Sequence, residues 1–244
     1  MISGMTGKGS INHNSRKFHA EKTVPDRSHL NVEYCNENIK DVYHELFDEA
    51  VERYNAKQKR KDRCIDDYYE KIRTGKQEKI FHDVIMQIGN KDDCASDSEN
   101  GELAAKILDE YMKEFQQRNT TLLVFLSHLH MDEATPHLHI DFVSYTTESK
   151  RGVDTRVSLK QAISALGFKG GSRGDTELNQ WINAEKKRLA MVMERHGIEW
   201  NRKELMKNIC QFWNLRKKNV RKKLQNWKIC WQKNRIMYKH WMKS

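Results

Sequence analysis

Apolar positions along the chain switch between two periods, and the switches mark its elements. From Ile39 onward Val42, Leu46, Phe47, Ala50, Val51 and Tyr54 recur at three- and four-residue steps, which predicts an amphipathic helix. Leu103–Phe115 and Leu159–Leu166 predict two shorter helices. A long helix is expected from about Thr176 to His196, because Leu178, Trp181, Ile182, Leu189, Val192 and Met193 form one stripe and Gly197 supplies a stop. Runs rich in β-branched and aromatic residues read as strands at Ile80–Ile88, Thr121–His130 and His137–Tyr145, with an earlier one around Gly9–Asn14. The sum is an α+β domain, an antiparallel sheet with helices on its outer face.

Composition sharpens this picture in two places. The chain has 244 residues, enough for one enzyme-sized domain with an extension. It contains no apolar run long enough to span a membrane and no signal-peptide stretch, so a cytoplasmic location is expected. Five cysteines, Cys35, Cys64, Cys94, Cys210 and Cys230, form no C-x-x-C pair and read as reduced thiols. The net charge of +10 suggests a polyanionic partner, but its distribution changes the inference. Arg202–Ser244 holds 14 Lys+Arg against the single acid Glu204, a net +13, which leaves 30 basic against 33 acidic residues, a net −3, in residues 1–201. The chain therefore divides into a body, 1–200, and a basic tail, 201–244. A body of that charge must meet a polyanion through a local groove.

The body's chemistry is concentrated in Ser127–Asp141, which reads S-H-L-H-M-D-E-A-T-P-H-L-H-I-D. Strand side chains alternate between faces, so His137 and His139 share one face while Leu138 and Ile140 take the other. If the loop Met131–Pro136 makes the two strands neighbours, His130 joins them. Three neutral imidazoles would then hold a divalent cation with positions left open, the arrangement of a catalytic site. Asp132 and Glu133 sit beside the cluster, where either could orient a ligand or reach the metal. His128 is read as structural or as a DNA contact.

A metal-assisted phosphodiester cleavage also needs an attacking group. The segment N-H-N-S-R at Asn12–Arg16 offers His13, whose neutral nitrogen could form a phosphoramidate, and Arg16, whose planar fork could brace a phosphate. Tyr34 is the alternative nucleophile; Tyr43 and Tyr54 lie on the apolar stripe of the first helix. Tyr68 and Tyr69 read as packing residues that could otherwise stack on a base. Further phosphate contacts are expected from Arg60 and Arg63 in the basic stretch Lys57–Arg63, and from Lys169 and Arg173 in the loop K-G-G-S-R-G-D.

These segments resemble a known family. The H-N-S-R of His13–Arg16, the S-H-L-N of Ser28–Asn31, the F-H-D-V-I-M-Q-I-G-N of Phe81–Asn90 and the H-M-D-E-A-T-P-H-L-H of His130–His139 are similar, in order, to the Mob/Pre plasmid mobilisation and recombination relaxases of the V type, within the HUH endonucleases. W-I-N-A-E-K-K-R-L from Trp181 and G-I-E-W from Gly197 extend the resemblance to residue 200. It implies a sheet of about five antiparallel strands and a site-specific nick at a plasmid origin of transfer. It further implies a covalent link to the 5′ phosphate and later rejoining of the strand. His13 takes the nucleophile's position and Glu133 the neighbouring acid's. His130, His137 and His139 take the positions of ligands to Mn2+ or Mg2+, with Zn2+ compatible. Asn14, Arg16, His29 and Asn31 fall in motifs expected to meet single-stranded or supercoiled DNA. A conjugative coupling protein is a further expected partner.

The tail departs from the family, whose members continue into a charge-mixed helical region used for dimerisation. Here it is nearly acid-free and holds four of the six tryptophans, Trp213, Trp227, Trp231 and Trp241. Either a helical or a disordered tail fits that composition. We read it as out-of-frame translation, with the dimerisation region lost, in preference to a DNA-binding helix. Two other functions fit the residues: a three-histidine hydrolase using metal-activated water, and a truncated relative that binds DNA without cutting.

Overall fold

Five strands lie side by side in the order β1-β3-β5-β4-β2, all antiparallel. They are β1 (Ile2–Thr6), β2 (Val32–Asn36), β3 (His82–Ile88), β4 (Leu122–His130) and β5 (His137–Thr146), and a two-residue β6 (Arg156–Val157) pairs with the end of β5. The helices are α1 (Ile11–Asn14), α2 (Ile39–Asn55), α3 (Tyr68–Thr74), α4 (Glu99–Lys113), α5 (Phe115–Arg118), α6 (Leu159–Ala165) and α7 (Glu177–Arg195). This computed structural model describes residues 1–198 except Lys8, His19 and Ala20. The basic tail, its tryptophans and the frame-shift expectation lie outside the described residues. No described helix is long and apolar enough to cross a membrane.

The alternation of β5 organises the domain. Leu138, Ile140 and Phe142 are fully buried on one face, in a core with Ile107, Leu108 and Tyr111 of α4 and Trp181 and Leu189 of α7. On the other face α2 and α3 cover only one end of the sheet, burying Tyr43, Phe47, Val51 and Tyr68 against Phe125, Leu126 and Val143. The other end of that face carries His137 and His139. One end is packed and the other polar, and this positions the site.

The helical expectations match α2, α6 and α7 closely, whereas α4 begins at Glu99, four residues before the expected Leu103, and the caps show why they start where they do. Asn38, Ser98 and Thr176 accept hydrogen bonds from the amides of Lys40, Gly101 and Asn179, and Gly197 at φ +75° ends α7. The early strand is corrected: it runs through Ile2–Thr6, and Ile11–Asn14, within the stretch expected as that strand, forms a helical turn. A Gly-rich connection, with Gly9 at φ +70°, separates the two.

The α7 stripe contains one residue that periodicity alone would not bury. Glu185 accepts from Tyr111 Oη at 2.6 Å, from Arg118 Nη2 at 3.0 Å and from Asn119 Nδ2 at 3.3 Å. Trp181 Nε1 donates to Asn119 Oδ1 at 2.8 Å, and the Arg118 guanidinium stacks 4.5 Å from the Tyr111 ring centroid. The W-x-x-x-E spacing thus joins α4, α5 and α7 through one closed polar network.

Candidate active site

The site begins with the register of β4 on β5, which sets His130 opposite His137 and His128 opposite His139. The rings of His130, His137 and His139 lie 5.1 to 5.2 Å apart, centroid to centroid. Each ring has one nitrogen committed to an oxygen acceptor, so that nitrogen must carry the proton. His130 Nε2 donates to the Asn14 carbonyl at 2.8 Å, His137 Nδ1 to the Thr135 carbonyl at 2.9 Å and His139 Nδ1 to Asp83 Oδ1 at 3.2 Å. The other nitrogen of each ring keeps its lone pair. His130 Nδ1 is buried with no protein partner among the described residues, an orphan that a cation would satisfy. Burial pushes the His130 imidazolium down to about 2 and the neighbouring His137 adds to it; His137 is also lowered, mainly by burial. Rings with one nitrogen tied to an oxygen acceptor and the other left free are suited to bind a metal.

The N-terminal segment closes over this face. Asn14 is buried, its Nδ2 donating to Asp141 Oδ2 at 2.8 Å while its carbonyl takes the His130 proton, so α1 is tied to β4 and β5. The tie brings the His13 ring to 6.0 Å from that of His130 and 5.8 Å from that of His139. Ligand atoms of His13, His130 and His139 fall within 4.8 Å of one another, as do those of His130, Glu133 and His137. His13 keeps a quarter of its side chain exposed and lies 3.5 Å from Glu133 Oε1. Burial lowers its pKa, Glu133 opposes that, and Arg16 adds to it.

Arg16 holds α1 and the β4–β5 loop together. It adopts φ +55°, unusual for a residue with a side chain, and its guanidinium reaches Asp132 Oδ2 at 3.0 Å, Glu133 Oε1 at 2.8 Å and the His13 carbonyl at 3.3 Å. Asp132, fully buried, also accepts from Ser28 Oγ at 3.0 Å and Asn31 Nδ2 at 2.8 Å. Burial alone would raise the Asp132 carboxyl, but Arg16, Asn31 and Ser28 together hold it down at about 2. Asn31 Oδ1 in turn accepts the Met131 amide at 2.7 Å. The motifs around Ser28 and Asp132 are therefore two halves of one buckle beneath Glu133.

The profile of the family described as plasmid recombination enzyme matches residues 10–202. The chain belongs to the plasmid recombination enzyme family. Type 3 plasmid recombination enzymes of Staphylococcus aureus and Mammaliicoccus lentus are each 30% identical to it over 149 residues, which cover 59% of this chain and 35% of the relative. The match thus spans about a third of the curated relatives' length. Among solved structures, a MobM relaxase domain bound to plasmid pMV158 oriT DNA and Mn is 21% identical, with a TM-score of 0.47, covering 82% of this chain and 89% of that one.

In this member of the family several expected contacts are corrected by the geometry. Asn14 and Asn31, expected at DNA, have their amides engaged inside the protein. Arg16, expected to brace a phosphate, is saturated by two carboxylates and a carbonyl. Tyr34, the alternative nucleophile, packs against the core on the α4 side of the sheet, and its hydroxyl donates to Asp109 at 3.0 Å. Burial and Asp109 both raise its pKa, which opposes nucleophilic use. Arg60 is paired with Asp62 at 2.6 Å, and Arg63 lines a cavity with Asp62, Asp66, Asp67 and Glu70. His29, Lys169 and Arg173 are exposed, with His29 Nδ1 bonded to the Asp26 carbonyl at 2.8 Å. Tyr68 is buried in packing and accepts the Val157 amide. His128 pairs with Glu33 at 2.8 Å.

Two residues absent from the expected site belong to it. Asp83 receives the His139 proton and the Gly9 amide, and Asp141 receives Asn14. Burial and the Asp83 charge push the Asp141 carboxyl up to about 8. Asp141 is detectable in principle, since it continues the His137, His139 alternation by one further step. Asp83 requires knowledge that β3 pairs with β5.

Proposed function

We propose that this chain nicks one DNA strand at a plasmid origin of transfer, remains covalently joined to the 5′ phosphate through His13, and reseals the strand. The observation that supports this reading most is the position of His13: partly exposed, kept neutral, and next to three imidazoles with free lone pairs. A hydrolase using activated water has no need of a second nucleophile at that point.

His130, His137 and His139 would hold a divalent cation, Mn2+ or Mg2+, which supplies charge neutralisation and orientation for the scissile phosphate. The residues fit that role, because His130 Nδ1 is otherwise orphaned and the opposite nitrogens are tied to Asn14, Thr135 and Asp83. The neutral His13 nitrogen attacks phosphorus, a P–N bond forms and the P–O3′ bond breaks. The imidazole proton passes to Glu133, and the leaving 3′ oxygen takes up a proton from solvent. Rejoining runs in reverse, the 3′ hydroxyl displacing His13. Arg16 acts by positioning, since it fixes both the His13 backbone and the Glu133 carboxylate. An enzyme acting on plasmid DNA works in the bacterial cytoplasm.

The test is a supercoiled plasmid carrying the cognate origin. Metal-dependent relaxation with protein attached to the 5′ end is expected, and His13→Ala should lose the adduct while still binding Mn2+. An adduct that persists in His13→Ala and disappears in Tyr34→Phe overturns the assignment. Cleavage without any covalent product would instead favour the hydrolase.

A further inference from the structure

Two adjoining cavities open beside the histidine face. The first, of about 520 Å³, is walled by Gly7, Gly9, Phe81 and Asp83, and Asp83 is the carboxylate that orients His139. A Cβ at Gly7 would run into the Asp83 carboxylate, and one at Gly9 would meet the Phe81 ring at 3.1 Å, so the chain passes here without side chains. The second, of about 510 Å³, shares Ile72 and Glu78 with the first and continues past α3 to the turn before β6.

This path is lined by more cations than acids, whereas the cavity at Arg63 is lined by Asp62, Asp66, Asp67 and Glu70. Lys79 lines the first cavity, and Lys71, Lys76, Arg151 and Arg156 line the second. Among the described residues Lys71, Lys76, Lys79 and Arg151 make no ion pair, whereas Arg60 is paired with Asp62. Glu78 and the buried Asp83 are the acids among the described residues lining the two cavities. Phe81, half-buried, is the aromatic residue in the lining of the first cavity, and Phe125 braces it edge-on at 5.4 Å. Unpaired cations along a groove with an aromatic residue in its lining are what a single-stranded nucleic acid requires: its phosphates are neutralised and a base finds a ring to stack on.

We propose that single-stranded DNA adjoining the scissile phosphate leaves the histidine site through this groove, stacking a base on Phe81 and laying its backbone along Lys79, Lys76, Lys71 and Arg151. This rests on the nicking function proposed above, and it assigns the DNA path to the α3 edge instead of Arg60 and Arg63. The body's net −3 is no obstacle, since the cations are gathered where the strand runs.

The test uses the full chain and a fluorescein-labelled single-stranded DNA oligonucleotide, with binding followed by anisotropy over a range of salt without metal. Residues 201–244 are common to parent and variants, so any change in salt slope belongs to the body. Lys76→Ala/Lys79→Ala should flatten the slope of log K against log salt by about 1.4, or roughly 0.7 for each phosphate that is no longer neutralised. Phe81→Leu, which keeps an apolar side chain, should weaken binding about fivefold with the slope unchanged. Arg60→Ala/Arg63→Ala should behave as the parent. A parental slope in the lysine variant, or an equal loss in the arginine variant, overturns the path, and parental affinity in Phe81→Leu overturns the stacking. Adduct formation by the parent keeps the two proposals apart. If the parent forms the adduct and the lysine variant binds as the parent does, the groove alone fails. If the slope changes but no adduct ever forms, nicking alone fails.

Discussion

The domain buries two polar clusters, one on each side of its sheet, and they are built to opposite rules. On the α7 side, both carboxylate oxygens of Glu185 are occupied by Tyr111, Arg118 and Asn119, and Trp181 closes the ring through Asn119. None of these side chains carries an orphaned buried atom among the described residues. On the other side, His128 Nδ1, His130 Nδ1 and Asp141 Oδ1 are buried without a partner. Leaving such atoms without a hydrogen bond costs on the order of 1–3 kcal/mol each. His130 Nδ1 lies among the three imidazoles, where a cation would satisfy it. The closed network is read as stability, the open one as chemistry.

That contrast is broken most decisively by exchanging the consequences. His13→Ala should abolish the covalent adduct and leave the thermal midpoint near the parent's, because a quarter of the His13 side chain is exposed. Glu185→Ala should do the reverse. It strands Arg118 in a half-buried position and should cost about 3 kcal/mol in denaturant unfolding, with nicking unchanged well below the midpoint. Loss of nicking in Glu185→Ala while the fold is intact would merge the two clusters into one.

The next effect is linkage to metal. Mn2+ at a hundredfold excess over its dissociation constant should stabilise the parent by about 2.7 kcal/mol, seen as a rise in thermal midpoint. His130→Ala should lose that rise while keeping a cooperative transition.

A smaller effect concerns pH. The His13 pKa lies below the ordinary histidine value, so the neutral nucleophile persists as pH falls through that value and is lost only further down. Glu133 opposes that lowering, so Glu133→Gln should move the acid limb of adduct formation to still lower pH, besides slowing it. An acid limb that moves upward contradicts the electrostatic arrangement. Smallest of all, Tyr34→Phe should cost about 1 kcal/mol through removal of the Asp109 bond and leave the adduct untouched.

The sequence reveals the open cluster far better than the closed one, and the reason is local geometry. His137, His139 and Asp141 share a face because strand side chains alternate, and the short loop to His130 makes that pairing readable. Glu185 sits on an apolar helical stripe, where a carboxylate reads as an error until Arg118 and Tyr111 arrive from distant helices. The same applies to Asn31 and Ser28: their partner Asp132 lies about a hundred residues away in sequence. The β2 strand is illegible because its five residues, V-E-Y-C-N, lie at an edge with a bulge between Glu33 and Cys35 that breaks the alternation. The position of β1 is easily misread because Gly7 and Gly9 mark the end of a strand as readily as its middle.

The central claim, that His13 carries the DNA, is tested most directly by digesting the covalent complex and sequencing the DNA-linked peptide by mass spectrometry. The account predicts a nucleotide remnant on His13, released by mild acid as a phosphoramidate. An acid-stable remnant on Tyr34, or on any residue other than His13, would contradict it.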